Sequence, residues 1–176
     1  MLKLICGSCV DQNVDVVVNA ANDCLMAGGG ICGVIFRKAG MLKLSQACEK
    51  YDVPLKDGQA VITPAFDMKN AKAIIHAVGP NFWNTPNAFK ELFDAYYNSL
   101  LVLKENNYHS IAFPLISAGI FGGRLDNPIA ESAKQCIRAY KKFVEDFKDY
   151  DVEVLLCAFS DNDQKESKKV FDAYFN

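Results

Sequence analysis

Six short apolar runs recur along the chain, and most are separated by longer stretches of helical period. They cover Leu2 to Cys6, Val14 to Asn19, Ala60 to Thr63, Ala73 to Ala77, Ser110 to Pro114 and Glu153 to Ala158. Several are apolar almost throughout instead of alternating with polar residues, the pattern of strands covered on both faces. Helices are predicted over Gly30 to Ala39, Leu42 to Lys50, Ala88 to Asn106, Pro128 to Asp149 and Gln164 to Tyr174. Proline at position 128 suits a first helical turn, where its missing N–H costs nothing. Within AFKELFDAYYNSLLVLKEN, the residues Phe89, Leu92, Phe93, Tyr96, Leu100 and Leu103 recur at three- and four-residue spacing and are expected to bury one stripe. Val170, Phe171 and Tyr174 are expected to pack the last helix. This alternation specifies an α/β layered fold with a central sheet between two helical layers.

No break divides the pattern. The 176 residues carry no proline- or serine-rich linker, no charge block and no repeat, so a single domain over residues 1–176 is expected. A chain of this length buries roughly 70% of the surface exposed when unfolded. The net charge of −2 supplies no basic face for a nucleic-acid backbone, so nucleic acid is not an expected partner. No apolar run is long enough to span a membrane, and MLKLICG lacks the features of a signal peptide, which points to the cytoplasm. Seven scattered cysteines do not resemble a disulfide framework. Cys6 and Cys9 form a CxxC, yet no second pair follows at zinc-finger spacing, so no metal is expected.

Two segments carry candidate chemistry. In VDVVVNAANDCLMAGGGICG a buried strand leads into a turn bearing Asn19 and Asn22, and then Gly28, Gly29 and Gly30 open a helix. Glycine lets a phosphate approach the backbone, and the free amides of a helix start face an anion with partial positive charge. GGGICG also satisfies GxGxxG, but in a dinucleotide-binding Rossmann unit the first glycine follows its strand almost at once. Here Asn19 to Ala27 intervene, which argues against that fold. The second segment, SIAFPLISAGIFGG, leads from a strand into Ser117, Ala118, Gly119, Ile120, Phe121 and Gly122, a second anion nest. Two such loops on neighbouring strands would grip a diphosphate from both sides. His76 lies in an apolar strand and is read as structural, and His109, beside a turn, as a solvated surface residue. A Ser117 nucleophile with His76 as base would need a third, orienting group, and is disfavoured.

Taken together, VNAAN followed by a GGG loop, IIHAVGP from Ile74 to Pro80, and PLISAGIFG from Pro114 to Gly122 resemble the macrodomain family, over about Leu4 to Phe159. The resemblance implies a three-layer α/β/α sandwich with a central mixed sheet and a cleft for ADP-ribose, with no cofactor. It implies that Asn22 holds the distal ribose, with Asn19 nearby. It assigns the diphosphate to the backbone of Gly28, Gly29, Gly30, Ile31, Cys32 and Gly33 and of Ser117 to Gly122. Phe121 would lie against the distal ribose and Phe159 against adenine, where an apolar ring face suits stacking. Asn22, Gly30 and Phe121 are the residues it places nearest the reaction.

The chain departs from the family at three positions. Many macrodomains carry a Gly-Asp pair after the first strand whose aspartate receives the adenine amine; here Gly7 is followed by Ser8, so adenine affinity should be weaker unless Asp11 substitutes. The MacroD-type hydrolases carry an aspartate and a histidine where Cys32 and Phe36 stand. The mechanism implied without them is hydrolysis at the distal ribose C1″, releasing ADP-ribose from an acidic protein side chain by a water ordered between a phosphate oxygen and the loop backbone. Deacetylation of O-acetyl-ADP-ribose is a natural second activity. The alternative is a non-catalytic reader of free or protein-linked ADP-ribose. Expected partners are therefore ADP-ribose, ADP-ribosylated proteins and O-acetyl-ADP-ribose.

Overall fold

The computed structural model describes all 176 residues. Along the chain run β1 (Leu2–Cys6), β2 (Val16–Ala21), α1 (Gly30–Ala39), α2 (Met41–Cys48), β3 (Ala60–Pro64), β4 (Ala73–Val78), α3 (Ala88–Glu105), β5 (Ser110–Phe113), α4 (Pro128–Asp146), β6 (Glu153–Ala158) and α5 (Asp161–Phe175). Short helical turns at Cys9–Asp11 and Ile120–Gly122, unanticipated from the sequence, complete it. The six strands form one sheet in the order β1-β6-β5-β2-β4-β3. Only β3 runs antiparallel to its neighbour, so the sheet is mixed.

Successive side chains of a strand point to opposite faces, and both faces here are apolar. On β2, Val16 and Val18 join the core beneath α3 and α4, with Tyr96, Leu100 and Phe143. Val17, between them, joins the core beneath α1 and α2, with Ile35, Phe36 and Leu44. The result is the three-layer arrangement. Val170 and Phe171 of α5 pack on the first core, while Tyr174 lies under the Lys141 ammonium, 5.0 Å from its ring centre. No helix is long and apolar enough to cross a membrane.

Three expectations need correction. The second strand starts at Val16 instead of Val14 and runs on through Asn19 to Ala21, because those residues pair with His76, Ala77 and Val78 of β4. The last helix starts at Asp161, not Gln164: Ser160 and Asp163 form a reciprocal capping box that satisfies two N-terminal amides. Phe89 does not join the buried stripe; it is 53% exposed at the first turn of α3, edge-on to Phe82.

The site follows from the topology. Adjacent parallel strands β2 and β5 send their chains to helices on opposite faces, α1 and α4, which opens a crevice beyond their carboxyl ends.

Candidate functional site

Two cavities lie in that crevice, about 570 Å³ between the ends of β2 and β5 and about 500 Å³ beside the ends of β6 and β1. They share Gly30, Ile31, Leu115, Ala118 and Gly119 as walls, so they form one continuous cleft.

The first wall is the loop after β2. Gly28, Gly29, Gly30, Ile31 and Cys32 line the cleft. Gly29 caps α1 without a side-chain hydrogen bond, and no acidic residue stands in the first turn. By contrast, Asn127 and Ser160 cap α4 and α5 with their own side chains. The amides opening α1 thus have no side-chain cap, and the helix dipole favours an anion there. Gly33 sits beneath: a Cβ on it would lie 2.4 Å from the Gly28 carbonyl oxygen, so only glycine allows the loop to rest on the helix. Asn22 pins the same loop, donating to the Met26 carbonyl at 2.7 Å and accepting from the Met26 amide at 3.0 Å. Its amide retains a second N–H and a second lone pair for a ligand.

The opposite wall is the loop after β5. Ser117 adopts a left-handed backbone conformation with φ of 56°, and its hydroxyl donates to the Pro80 carbonyl at 2.7 Å. The Phe82 amide donates to the Phe121 carbonyl at 2.9 Å, a second tie between this loop and the segment after β4. Gly79 makes the contact close: a Cβ there would lie 2.4 Å from Ser117 Oγ and 2.5 Å from Ile116 Cγ2. Ile120 and Phe121 form the outer rim, 87% and 41% exposed.

Behind the first wall lies a buried polar chain. The Asn19 amide donates to His76 Nδ1 at 3.1 Å and lies 3.7 Å from Cys32 Sγ, and Thr63 Oγ1 is 2.9 Å from His76 Nε2. With Asn19 donating to Nδ1, His76 carries its proton on Nε2 and donates it to Thr63. Burial pulls its pKa down to about 4, so the ring is neutral. The Cys32 thiol donates to the Met26 carbonyl at 3.5 Å, which makes it another tie on the glycine loop. Ser117 and His76 are not paired, since each is committed to the partners just given, and the nucleophile–base arrangement has no geometry to support it. His109 is exposed and stacks on Tyr150 at 4.7 Å.

The cavity beside β1 is lined by Ser8, Cys9, Val34, Cys157, Phe159 and Asp163, among others. Phe159 is 75% exposed and lines the cleft. Asp11 is not in this cavity; it is paired with Lys38 at 2.7 Å. Burial pushes the Cys157 thiol up to about 12 and holds the Cys9 thiol above the usual range, so both are packing groups here and not nucleophiles. The 570 Å³ cavity contains no Asp, Glu, His, Lys or Arg side chain at all. No three His, Cys, Asp or Glu side chains converge as a metal site anywhere in the molecule.

The Macro domain family model matches residues 18–136, the span holding both glycine loops and their strands. The chain belongs to the Macro domain family. It is 40% identical over 146 residues to a Salmonella typhimurium protein named O-acetyl-ADP-ribose deacetylase, covering 81% of this chain and 79% of that one. It is 41% identical over 148 residues to the Escherichia coli protein of the same name, with 81% and 80% covered. Among solved structures, the Oceanobacillus iheyensis macrodomain with ADP superposes with a TM-score of 0.87 at 30% identity, covering 98% of this chain and 90% of that one. The Trypanosoma brucei macrodomain in complex with ADP-ribose superposes with a TM-score of 0.83 at 27% identity, covering 97% and 68%.

Within this macrodomain the expected site residues divide into two groups. Ser8, Asn22, Gly28 to Cys32, Ser117 to Phe121 and Phe159 line the cleft. Asn19, Gly33 and Gly122 do not: Asn19 is 1% exposed behind the wall, Gly33 supports Gly28, and Gly122 packs on Pro128. Phe36, where the MacroD-type histidine would stand, is fully buried in the core beneath α1. Gly79, Leu115 and Asp163 line the cleft without having been singled out. Gly79 was visible within IIHAVGP as a glycine ending an apolar strand; nothing near Asp163 in the chain marks it, because α5 brings it to the cleft.

Proposed function

We propose that this macrodomain binds ADP-ribose and hydrolyses an ester on its distal ribose, with O-acetyl-ADP-ribose as the first substrate to test. One observation carries the reading: the uncapped amides of α1 face the Ser117–Phe121 loop across a single cleft, two anion-binding walls on either side of a space sized for a small ligand. The deacetylase relatives favour this ester, and the ADP and ADP-ribose complexes of the structural relatives favour this nucleotide.

In this reading the diphosphate lies between the two loops and the distal ribose lies against Asn22 and Phe121. Because no charged or imidazole side chain lines that cavity, the reaction relies on position: a water held between a phosphate oxygen and the loop backbone attacks the ester. For the acetyl ester the water oxygen bonds to the acetyl carbon, the bond to the ribose oxygen breaks as that oxygen takes one water proton, and ADP-ribose and acetate leave with release of the other proton. Loop amides would stabilise the negative charge that develops. Esters on acidic side chains of ADP-ribosylated proteins are further substrates, favoured by the exposed rim at Ile120. Seven free cysteines suit a reducing compartment, and the cytoplasm is the proposed location.

A reader without turnover is the second reading, favoured by Cys32 and Phe36 in place of the MacroD-type acid and histidine. Incubation with O-acetyl-ADP-ribose separates the two. Turnover beyond one equivalent, slowed about tenfold or more by Asn22→Ala, supports the hydrolase. Binding without release of acetate at enzyme equal to substrate makes the macrodomain a reader.

A further inference from the structure

Trp83 stands 54% exposed between β4 and α3, with the Arg124 guanidinium over its ring, 5.8 Å from the ring centre. We infer that this pair is a docking surface for the polypeptide of an ADP-ribosylated protein, taking a chain with an acidic residue close to the modified one. The inference rests on the ADP-ribose reading above, which puts the ester at the Phe121 end of the cleft, and adds how an ester on a protein is told from a free one.

The surface is continuous with the cleft. Ile120 and Phe121 wall the cavity between β2 and β5, and the Phe121 carbonyl accepts from the Phe82 amide at 2.9 Å. Gly123, with φ of 55°, lies against the same segment: a Cβ on it would sit 2.6 Å from the Trp83 nitrogen and 2.7 Å from the Phe82 carbonyl carbon. The Trp83 amide also donates to Asn81 Oδ1 at 3.1 Å, and the Phe82 ring rests edge-on to Phe89 at 5.2 Å. Trp83 is therefore held at the cleft mouth before a partner arrives, which lowers the ordering cost of docking.

Charge identifies the partner. No charged side chain lines the adjoining cavity, so a preference for charge has to arise outside it. Every ion pair in the molecule is formed by a lysine, which leaves the exposed Arg124 guanidinium without a carboxylate. A guanidinium over an aromatic ring keeps its edge N–H groups for a carboxylate, and tryptophan and arginine are the residue types that carry most of the energy of protein interfaces. One such cation on a chain of net charge −2 makes no track for a nucleic-acid backbone. An acetyl ester has no chain to lie on Trp83 and no carboxylate for Arg124, so only a protein-borne ester uses this surface.

The test is calorimetric titration with free ADP-ribose and with two peptides. Each peptide carries ADP-ribose on a glutamine amide in place of the labile glutamate ester, flanked by glutamates in one and by lysines in the other. The wild-type protein should bind the glutamate-flanked peptide about tenfold more tightly than the lysine-flanked one, with the gap narrowing at high salt. Arg124→Glu should reverse that order, and Trp83→Ala should weaken both peptides about tenfold. Affinity for free ADP-ribose should stay unchanged in both variants. Equal affinity of the wild type for the two peptides, or unchanged peptide affinities in both variants, overturns the docking surface and leaves ADP-ribose binding standing. So does a Trp83→Ala protein that loses free ADP-ribose as much as the peptides, or a solution dimer that Trp83→Ala dissolves, which would assign the surface to a second copy. A wild-type protein that binds neither ADP-ribose nor the peptides overturns the ADP-ribose reading itself, and the inference with it.

Discussion

His76 is a histidine made into a neutral spacer. Buried between Asn19 and Thr63, it has a pKa of about 4, against an unfolded value of 6.5. As pH falls below about 6.5 the unfolded chain takes up this proton before the folded one does. Stability is therefore full above that pH and declines down to about 4, by roughly 3 kcal/mol from this group. Urea unfolding between pH 4 and 7 checks the claim: His76→Gln should be less stable at pH 7 yet lose less stability on acidification than the wild type. Parallel pH profiles for the two proteins would contradict it. That His76 is structural was legible from its apolar strand. Its partners were not, since Asn19 and Thr63 reach it from neighbouring strands, and only the sheet register, Asn19 opposite His76, reveals that Asn19 turns away from the cleft.

At the scale of elements, the glycine loop is a surface laid against α1, and Gly33 is the contact that sets its height. Alanine is the better helix former by about 1 kcal/mol, but its Cβ would displace the Gly28 carbonyl. Gly33→Ala should therefore change unfolding stability little while weakening ADP-ribose binding about tenfold or more, or ~1.4 kcal/mol. Undiminished affinity in calorimetry would show that loop height does not control the site. Most elements were legible because their periods are clean. The start of α5 was missed because its signal is a cap, Ser160 with Asp163, in a polar stretch without apolar periodicity. Both glycine loops were legible for a similar reason: an apolar strand ending in glycines leaves few other uses for so flexible a segment.

The whole molecule turns one sheet into a clamp. Strands β2 and β5 carry the two glycine loops, β6 and β1 carry the Phe159 and Ser8 end, and every one of these groups stands at a carboxyl end of the parallel strands of the sheet. Which residues share the cleft depended on this strand order, and so the meeting of Asp163, Ser8 and Phe159 lay beyond reach of sequence spacing. A ligand that spans both cavities holds the two helical layers together and must raise the stability of the entire domain. At 100 times its dissociation constant, ADP-ribose should stabilise by about 2.7 kcal/mol. For a chain of this size that raises the melting temperature by roughly 5 to 10 °C. Thermal unfolding with ADP-ribose and, separately, with NAD is the most direct test. A large shift with ADP-ribose and a smaller one with NAD is the predicted result; no shift with ADP-ribose, or a larger one with NAD, would contradict the account.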